Sequence, residues 1–105
     1  MTITENRTDS TITICVEGRI ETNTSPKLQE SILKAFQKGD NVVIDFEKCA
    51  YLSSAGLRAL LIGQKTANSK GGTMKLIHVP ELLMNVFKMS GFSPSLAAKN
   101  IINLI

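Results

Sequence analysis

The sequence predicts a single α/β domain in which helices pack against a mixed β-sheet, with the element order ββαβαβα. Three observations support this prediction. The chain has 105 residues, which is room for one domain. Apolar patterns with the two-residue period of strands alternate with patterns of helical period, and glycines separate them. Such alternation with short links is typical of a sheet with right-handed crossovers, so we expect residues 1–105 to form one domain.

The strands are predicted from alternating or continuous apolar runs. Residues 11–17 alternate β-branched apolar and polar side chains, as in a strand with one buried face. Turn-forming residues at 8–10 precede this strand, so residues 2–6 are expected to pair with it as a hairpin. The continuous apolar run at 42–46 is typical of a central parallel strand that is buried on both faces. Residues 74–79 form the last clear strand.

Three helices are predicted between and after these strands, over about residues 26–38, 55–68 and 80–90. Each has apolar residues at helical spacing. In the first, the hydroxyl residues before Pro26 are expected to cap the helix, since proline suits the first helical position. The third is expected to end at Gly91.

The pattern after residue 91 is less regular. A Ser-Pro-Ser run at 93–95 favours the start of a short helix, and the apolar residues at 101–105 fit either a strand or the end of a helix. The sequence leaves the structure of this tail open.

Composition excludes several classes of protein. Apolar residues make up 43% and charged residues 20% of the chain, as in an ordinary globular protein. No apolar run approaches the roughly 18 residues that a membrane helix needs. The first residues lack a basic stretch followed by an apolar core, so no secretory signal is predicted and the protein is expected in the cytoplasm. Cys15 and Cys49 are therefore expected to be reduced core residues.

Neither a nucleic acid nor a metal is an expected ligand. Residues 51–105 carry six basic side chains and one acidic one, but the basic residues are spread singly. Aromatic residues make up only 5% of the chain, so base stacking has few platforms. A zinc site from one chain is not expected, because there is one histidine and no Cys-x-x-Cys motif. No phosphate-cradling glycine loop is present, and no cofactor is predicted.

A small hydrolase is the weakest functional hypothesis. Ser54, His78 and Asp45 lie near predicted strand ends and a helix start, so a serine triad can be drawn from them. However, the Gly-x-Ser-x-Gly elbow is absent, and a short chain leaves little wall for a pocket. We therefore predict that the protein is not an enzyme.

The most informative segment is Ser-Ser-Ala-Gly-Leu-Arg at residues 53–58, where a predicted strand leads into a helix. One of the two serines is expected to cap this helix by accepting a hydrogen bond from a free backbone N–H, worth about 0.5–2 kcal/mol. A hydroxyl at a helix start is also a favourable place for a phosphate, because the helix dipole and free N–H groups compensate its charge. The sequence alone leaves both capping and phosphorylation open for these serines, and it favours capping.

This segment resembles the signature of STAS domains, and specifically that of the small bacterial anti-sigma factor antagonists. The resemblance covers roughly residues 10–92 and includes the loop at 18–26, the strand at 42–45 and the landmarks at 71–72 and 89–92. It implies a STAS fold and a regulatory binding protein. Family members sequester an anti-sigma factor, itself a serine kinase of the GHKL type, and so free a sigma factor. The kinase phosphorylates the antagonist, and a PP2C-type phosphatase reverses the modification.

The resemblance assigns the phosphorylated position to Ser54, two residues before Gly56. The family usually has aspartate at the preceding position, where this chain has Ser53, so a second hydroxyl lies beside the site and leaves open which serine is modified. The acid of the family's first loop, usually aspartate, is Glu21 here. The part of the partner surface that the resemblance implies comprises Glu21, Thr22, Asn23, Ser53 and Ser54.

The helix after these serines has two faces at helical spacing. One face carries Arg58, Ile62 and Lys65, and the other carries leucines. The simpler interpretation is a solvated face opposite a core face. The alternative is that Arg58 and Ile62 contact the partner, because an apolar residue between two cations suits an interface.

A STAS module can also work without a sigma factor. The alternative function is a cytoplasmic partner of a transporter or lipid-export complex, or a piece of a stressosome-like scaffold. We predict the antagonist function, with no membrane and no nucleic acid among the partners.

Overall fold

The computed structural model describes residues 1–89, 95–98 and 101–103, with side chains for residues 1–87. These residues form a six-stranded mixed sheet and three helices. The predicted order ββαβαβα is confirmed, and two short strands follow it. The elements are β1 (Thr2–Thr8), β2 (Thr11–Ile20), α1 (Ser25–Lys38), β3 (Asn41–Leu52), α2 (Ser54–Lys70), β4 (Thr73–Ile77), α3 (Glu81–Met89), β5 (Ser95–Ala98) and β6 (Ile101–Asn103).

The strands lie in the order β1-β2-β3-β4-β6-β5 across the sheet. The antiparallel hairpin of β1 and β2 forms as predicted, and its turn places Asp9 at a φ of 53°, which aspartate tolerates. β3 is central and pairs in parallel with β2 and β4. The pairing is parallel because α1 and α2 each carry the chain back to the end of the sheet at which the preceding strand began. β6 runs antiparallel to β4 and also pairs with β5.

The tail differs in part from its prediction. Residues 95–98 form a strand and not a helix, and residues 101–103 adopt the strand that was one of the two alternatives left open. The two segments pair with each other in antiparallel fashion, and β6 also pairs with β4. This pairing accounts for the difference, because hydrogen bonds to neighbouring strands outweigh a weak local preference for helix. Gly91, residues 93–94 and residues 104–105 lie outside the described residues.

The core lies between one face of the sheet and the helices. Side chains that face the helices are fully buried along β2, β3 and β4, while their outward neighbours are only partly buried. The prediction that β3 is buried on both faces is therefore wrong: Val43 and Asp45 are partly exposed, because the helices pack against the opposite face. The core includes Ile14, Leu28, Ile32, Phe36, Ile44, Phe46, Leu60, Met74, Leu76 and Phe87.

The two cysteines are free, but only Cys49 is a core residue. Cys15 lies on the outward face of β2 and is partly exposed, which corrects its predicted place in the core. Burial raises the pKa of the Cys49 thiol. Burial, and then the charge of Asp45, raise the pKa of the Cys15 thiol. Among the described residues, none of the helices has both the length and the apolar character needed to cross a membrane.

Candidate functional site

The two serines at the start of α2 have different surroundings. Ser53 is the N-cap: its Oγ accepts a hydrogen bond from the Gly56 N–H at 3.1 Å, and its own N–H donates to the Ile20 carbonyl at 2.8 Å. The residue is 7% exposed. Ser53 is therefore the capping serine, and its hydroxyl points into the protein.

Ser54 is the first residue of α2 and is exposed. The first turn of α2 contains no acidic side chain, so no carboxylate compensates the positive end of the helix dipole there. A hydroxyl in this position is open to a modifying enzyme, and a negative group on it would lie beside backbone N–H groups of the first turn.

Gly56 allows the helix start to lie close to the sheet. A Cβ at this position would be 2.6 Å from Leu52 Cδ1 and 2.7 Å from Ile20 Cγ2, well inside van der Waals contact. With the bond from Ser53 to Ile20, this close approach holds the first turn of α2 against the ends of β2 and β3. The position of Ser54 is thereby fixed on a rigid part of the fold.

The loop that follows β2 lies beside this helix start, because Glu21 follows Ile20 directly. Thr24 organises the loop: its Oγ1 accepts from the Glu21 N–H at 2.8 Å, and its N–H donates to the Glu21 carbonyl at 3.1 Å. The expected side-chain cap of α1 is absent for this reason, since the Thr24 hydroxyl is engaged inside the loop. Glu21, Thr22 and Asn23 are exposed.

Arg19 and Tyr51 support the loop from the neighbouring strand ends. Arg19 Nε lies 3.1 Å from Glu21 Oε1, and its guanidinium lies 4.3 Å from the centre of the Tyr51 ring. The sequence pattern does not single out either residue. Arg19 and Tyr51 become neighbours through the register of β2 and β3, which pairs them directly, and a strand pattern carries no information about register.

Arg58 and Ile62 extend the surface along α2. Ser54, Arg58 and Ile62 are four residues apart in succession, so they share one face of the helix. All three are exposed, and Ile62 is an exposed large apolar side chain at 36%. On the opposite side Leu60 is fully buried, which matches the expected core face.

The hydrolase triad is not assembled. His78 Nδ1 lies 3.0 Å from Asp45 Oδ1, so two of its members are in contact. Ser54, however, lies just beyond Leu52, the last residue of β3. Leu52 is seven residues from Asp45 along the strand, a distance of about 20 Å at the usual rise per residue. The serine and histidine of this hypothesis are therefore too far apart for proton transfer.

The structure thus combines a mixed sheet that has helices packed on one face, an exposed serine at the start of α2, and beside it a loop that contains Glu21. A family model described as "Mlab, STAS domain" matches residues 3–97. The chain belongs to the STAS domain family.

Sequence relatives group the chain with the anti-sigma factor antagonists of this family. The anti-sigma-B factor antagonist of Listeria monocytogenes is 30% identical over 101 residues, covering 94% of this chain and 87% of the relative. The anti-sigma-B factor antagonist of Bacillus subtilis is 26% identical over 89 residues, covering 85% and 80%. The fold matches that of the Bacillus cell fate determinant SpoIIAA in its phosphorylated form, with a TM-score of 0.72 and 20% identity over 87% of this chain and 85% of that one.

Proposed function

We propose that this protein is a phosphorylation-switched antagonist that sequesters an anti-sigma factor serine kinase and so frees a sigma factor. The observation that carries the proposal is the contrast between the two serines: Ser53 is buried as the cap, whereas Ser54 is exposed in the first turn. SpoIIAA, which shares the fold, has been solved in both unphosphorylated and phosphorylated forms. We further propose that residues 1–105 form one STAS domain, which acts in the cytoplasm and catalyses no reaction.

The proposed partner surface is formed by the loop after β2 and the exposed face of α2. Glu21, Thr22, Asn23, Ser54, Arg58 and Ile62 offer side chains to a partner. Ser53 lies next to this surface but is buried, and its hydroxyl supports the surface by holding the start of α2 in place. An exposed isoleucine one helical turn from the cation Arg58 suits an interface with an apolar centre and a polar rim.

The proposed switch is electrostatic. A phosphate on Ser54 adds roughly −1.5 to −2 charges at neutral pH. The helix start accepts them within the folded protein, because the first turn offers N–H groups and has no competing carboxylate. In the complex the same charges must be desolvated near the acidic Glu21 loop, which opposes binding. A PP2C-type phosphatase restores the binding form.

Phosphate mapping tests the choice of serine. The protein is incubated with its cognate kinase and ATP, and the phosphopeptides are identified by mass spectrometry. We expect the phosphate on Ser54, with Ser54→Ala abolishing incorporation and Ser53→Ala, the matched control, retaining it. Phosphate on Ser53 with Ser54 unmodified would contradict the assignment.

Recovery of partners from the native host tests the function itself. We expect a GHKL-type serine kinase to co-purify with the unmodified protein, and recovery to fall after phosphorylation. Repeated recovery of transporter or lipid-export subunits, or of a stressosome-like assembly, without a kinase would favour the alternative function of the STAS fold.

A further inference from the structure

A second group of polar side chains lies on the outward face of the sheet, remote from Ser54. Asp45 and Glu47 belong to β3, and His78 follows β4 directly. His78 Nδ1 lies 3.0 Å from Asp45 Oδ1 and 3.6 Å from Glu47 Oε2. One nitrogen or oxygen atom from each residue lies within 4.8 Å of the others. The proposed antagonist function uses none of these side chains.

The distances within this group suit a small tetrahedral cation. Zinc binds imidazole nitrogen and carboxylate oxygen at about 2.0–2.2 Å, so two ligand atoms on a tetrahedral centre are roughly 3.3–3.6 Å apart. The two separations measured from His78 Nδ1 lie at or near this range. The Asp45 and Glu47 ligand atoms lie within 4.8 Å of each other, so this pair must close by up to about 1.5 Å to reach the spacing of a tetrahedral site. Rotation of the exposed Glu47 side chain supplies this movement.

The side chains are positioned by the fold but remain accessible. Asp45 is held by its Oδ1, which accepts a hydrogen bond from the Glu47 N–H at 2.9 Å. Its side chain is 20% exposed, whereas those of Glu47 and His78 are 65% and 55% exposed. An ion can therefore enter from solvent without any opening of the core, and water can fill its fourth position.

We propose that Asp45, Glu47 and His78 form a Zn²⁺ site on the outward face of the sheet. An imidazole with two carboxylates selects a transition metal over Mg²⁺ and Ca²⁺, which prefer oxygen ligands alone. The two carboxylate charges balance the ion. This inference departs from the expectation of no metal site, which rested on motifs along the chain; here the pairing of Asp45 with Ile77 brings the next residue, His78, across from β3.

The surroundings of the site give a matched control. A cavity of about 230 Å³ beside it is lined by Asp45, Glu47 and Lys48 of β3, and by Glu17 and other residues of β1 and β2. Glu17 is an exposed carboxylate on the same cavity but is not one of the three ligands. Glu17→Gln therefore removes the same charge as Glu47→Gln while leaving the ligand set complete.

Calorimetric titration of the untagged protein with Zn²⁺ at pH 7 tests the site. We expect saturable binding of one ion, weakened at least about tenfold by Asp45→Asn and by His78→Asn, and clearly weakened by Glu47→Gln. Asparagine suits position 78, where φ is 51°, because it tolerates the left-handed conformation. Glu17→Gln should bind nearly as the parent does. Co²⁺ should give the intense visible absorption of a tetrahedral site, and His78→Asn should abolish it.

Each outcome decides the proposal. Absence of saturable binding, or equal binding by the parent and His78→Asn when both show native circular dichroism, would overturn it. Equal weakening by Glu17→Gln and Glu47→Gln would also overturn it, because the ion would then respond only to the negative charge of the surface. Phosphorylation of Ser54 and kinase binding play no part in this test, so its result is independent of the proposed function.

Discussion

Ser53 and Ser54 are neighbours in the chain, but the fold gives them separate tasks. The Ser53 hydroxyl accepts the hydrogen bond that closes the first turn of α2, and the Ser54 hydroxyl is left exposed. An aspartate in place of Ser53 would also be a good N-cap residue. The serine at this position therefore provides the cap without adding a carboxylate beside the proposed phosphorylation site.

Loss of the Ser53 hydroxyl should lower stability. Ser53→Ala leaves the buried Gly56 N–H without its acceptor, at a cost of about 0.5–2 kcal/mol. For a domain of this size we expect the thermal midpoint to fall by about 4–8 °C per kcal/mol. Thermal melts followed by circular dichroism measure this shift. The matched control is Ser54→Ala, which should change the midpoint little; equal shifts for both variants would show that Ser53 is not the principal cap.

A negative charge at Ser54 should affect binding far more than folding. We expect Ser54→Asp to keep its thermal midpoint within a few degrees and to lose at least about tenfold in kinase affinity, roughly 1.4 kcal/mol. The folded helix start accepts the charge, whereas the interface must desolvate it. Ser54→Ala should bind and resist switching by ATP. Calorimetric titration of the three forms decides this, and tight binding by Ser54→Asp would refute electrostatic exclusion.

At the scale of elements, α2 is the helix whose packing matters most for the candidate site. Two glycines on its inner face, Gly56 and Gly63, are both buried and both too close to neighbours for a Cβ. At Gly56 the nearest atoms belong to Leu52 and to the β-branched, stiff side chain of Ile20. At Gly63 the nearest atom is Cγ2 of Ile32 at 2.8 Å, which is also β-branched, and the next two atoms belong to the flexible side chain of Met74.

Substitution of either glycine should therefore lower stability. Overpacking costs about 1–3 kcal/mol, while alanine gains about 0.8–1 kcal/mol over glycine within a helix. We expect Gly56→Ala and Gly63→Ala each to lower the thermal midpoint, because Ile20 at the first position and Ile32 at the second cannot move aside. Parallel thermal melts of the two variants test this, and an unchanged midpoint for either variant would contradict it.

At the scale of the whole molecule, the sheet has a protected centre and an open edge. β3 pairs with a strand on both sides, while β1 pairs with β2 alone in the part of the chain that the structure describes and has mostly exposed side chains. Local opening of β1 exposes little apolar surface, whereas opening of β3 disrupts the core.

Hydrogen exchange should follow this arrangement. We expect the paired amides of β1 to exchange at least about tenfold faster than those of β3, through an opening smaller than global unfolding. Native-state exchange measured by nuclear magnetic resonance in increasing urea gives the size of each opening. Equal protection in β1 and β3 would show that the hairpin opens only with the whole sheet.

The order of strands and helices up to α3, the approximate start of α2 and the capping of that helix by a serine could all be predicted from the sequence, whereas the extension of β3 to Leu52 could not. The predictable features depend on local periodicity, capping residues and glycines, all of which lie within a few positions of each other. For the same reason the resemblance of residues 53–58 to the family signature is visible in the sequence alone. The tail was less predictable, because β5 and β6 depend on pairing with each other and with β4.

The contacts between residues that are distant along the chain could be seen only in the tertiary structure. It gave the cap to Ser53 and left Ser54 exposed, placed Arg19 over Tyr51, and brought His78 to Asp45. The last two contacts join residues that are more than thirty positions apart along the chain, and they follow from strand register. Alternation along a strand shows which side chains share a face but does not identify their neighbours on the next strand, because register is set only when the whole sheet packs.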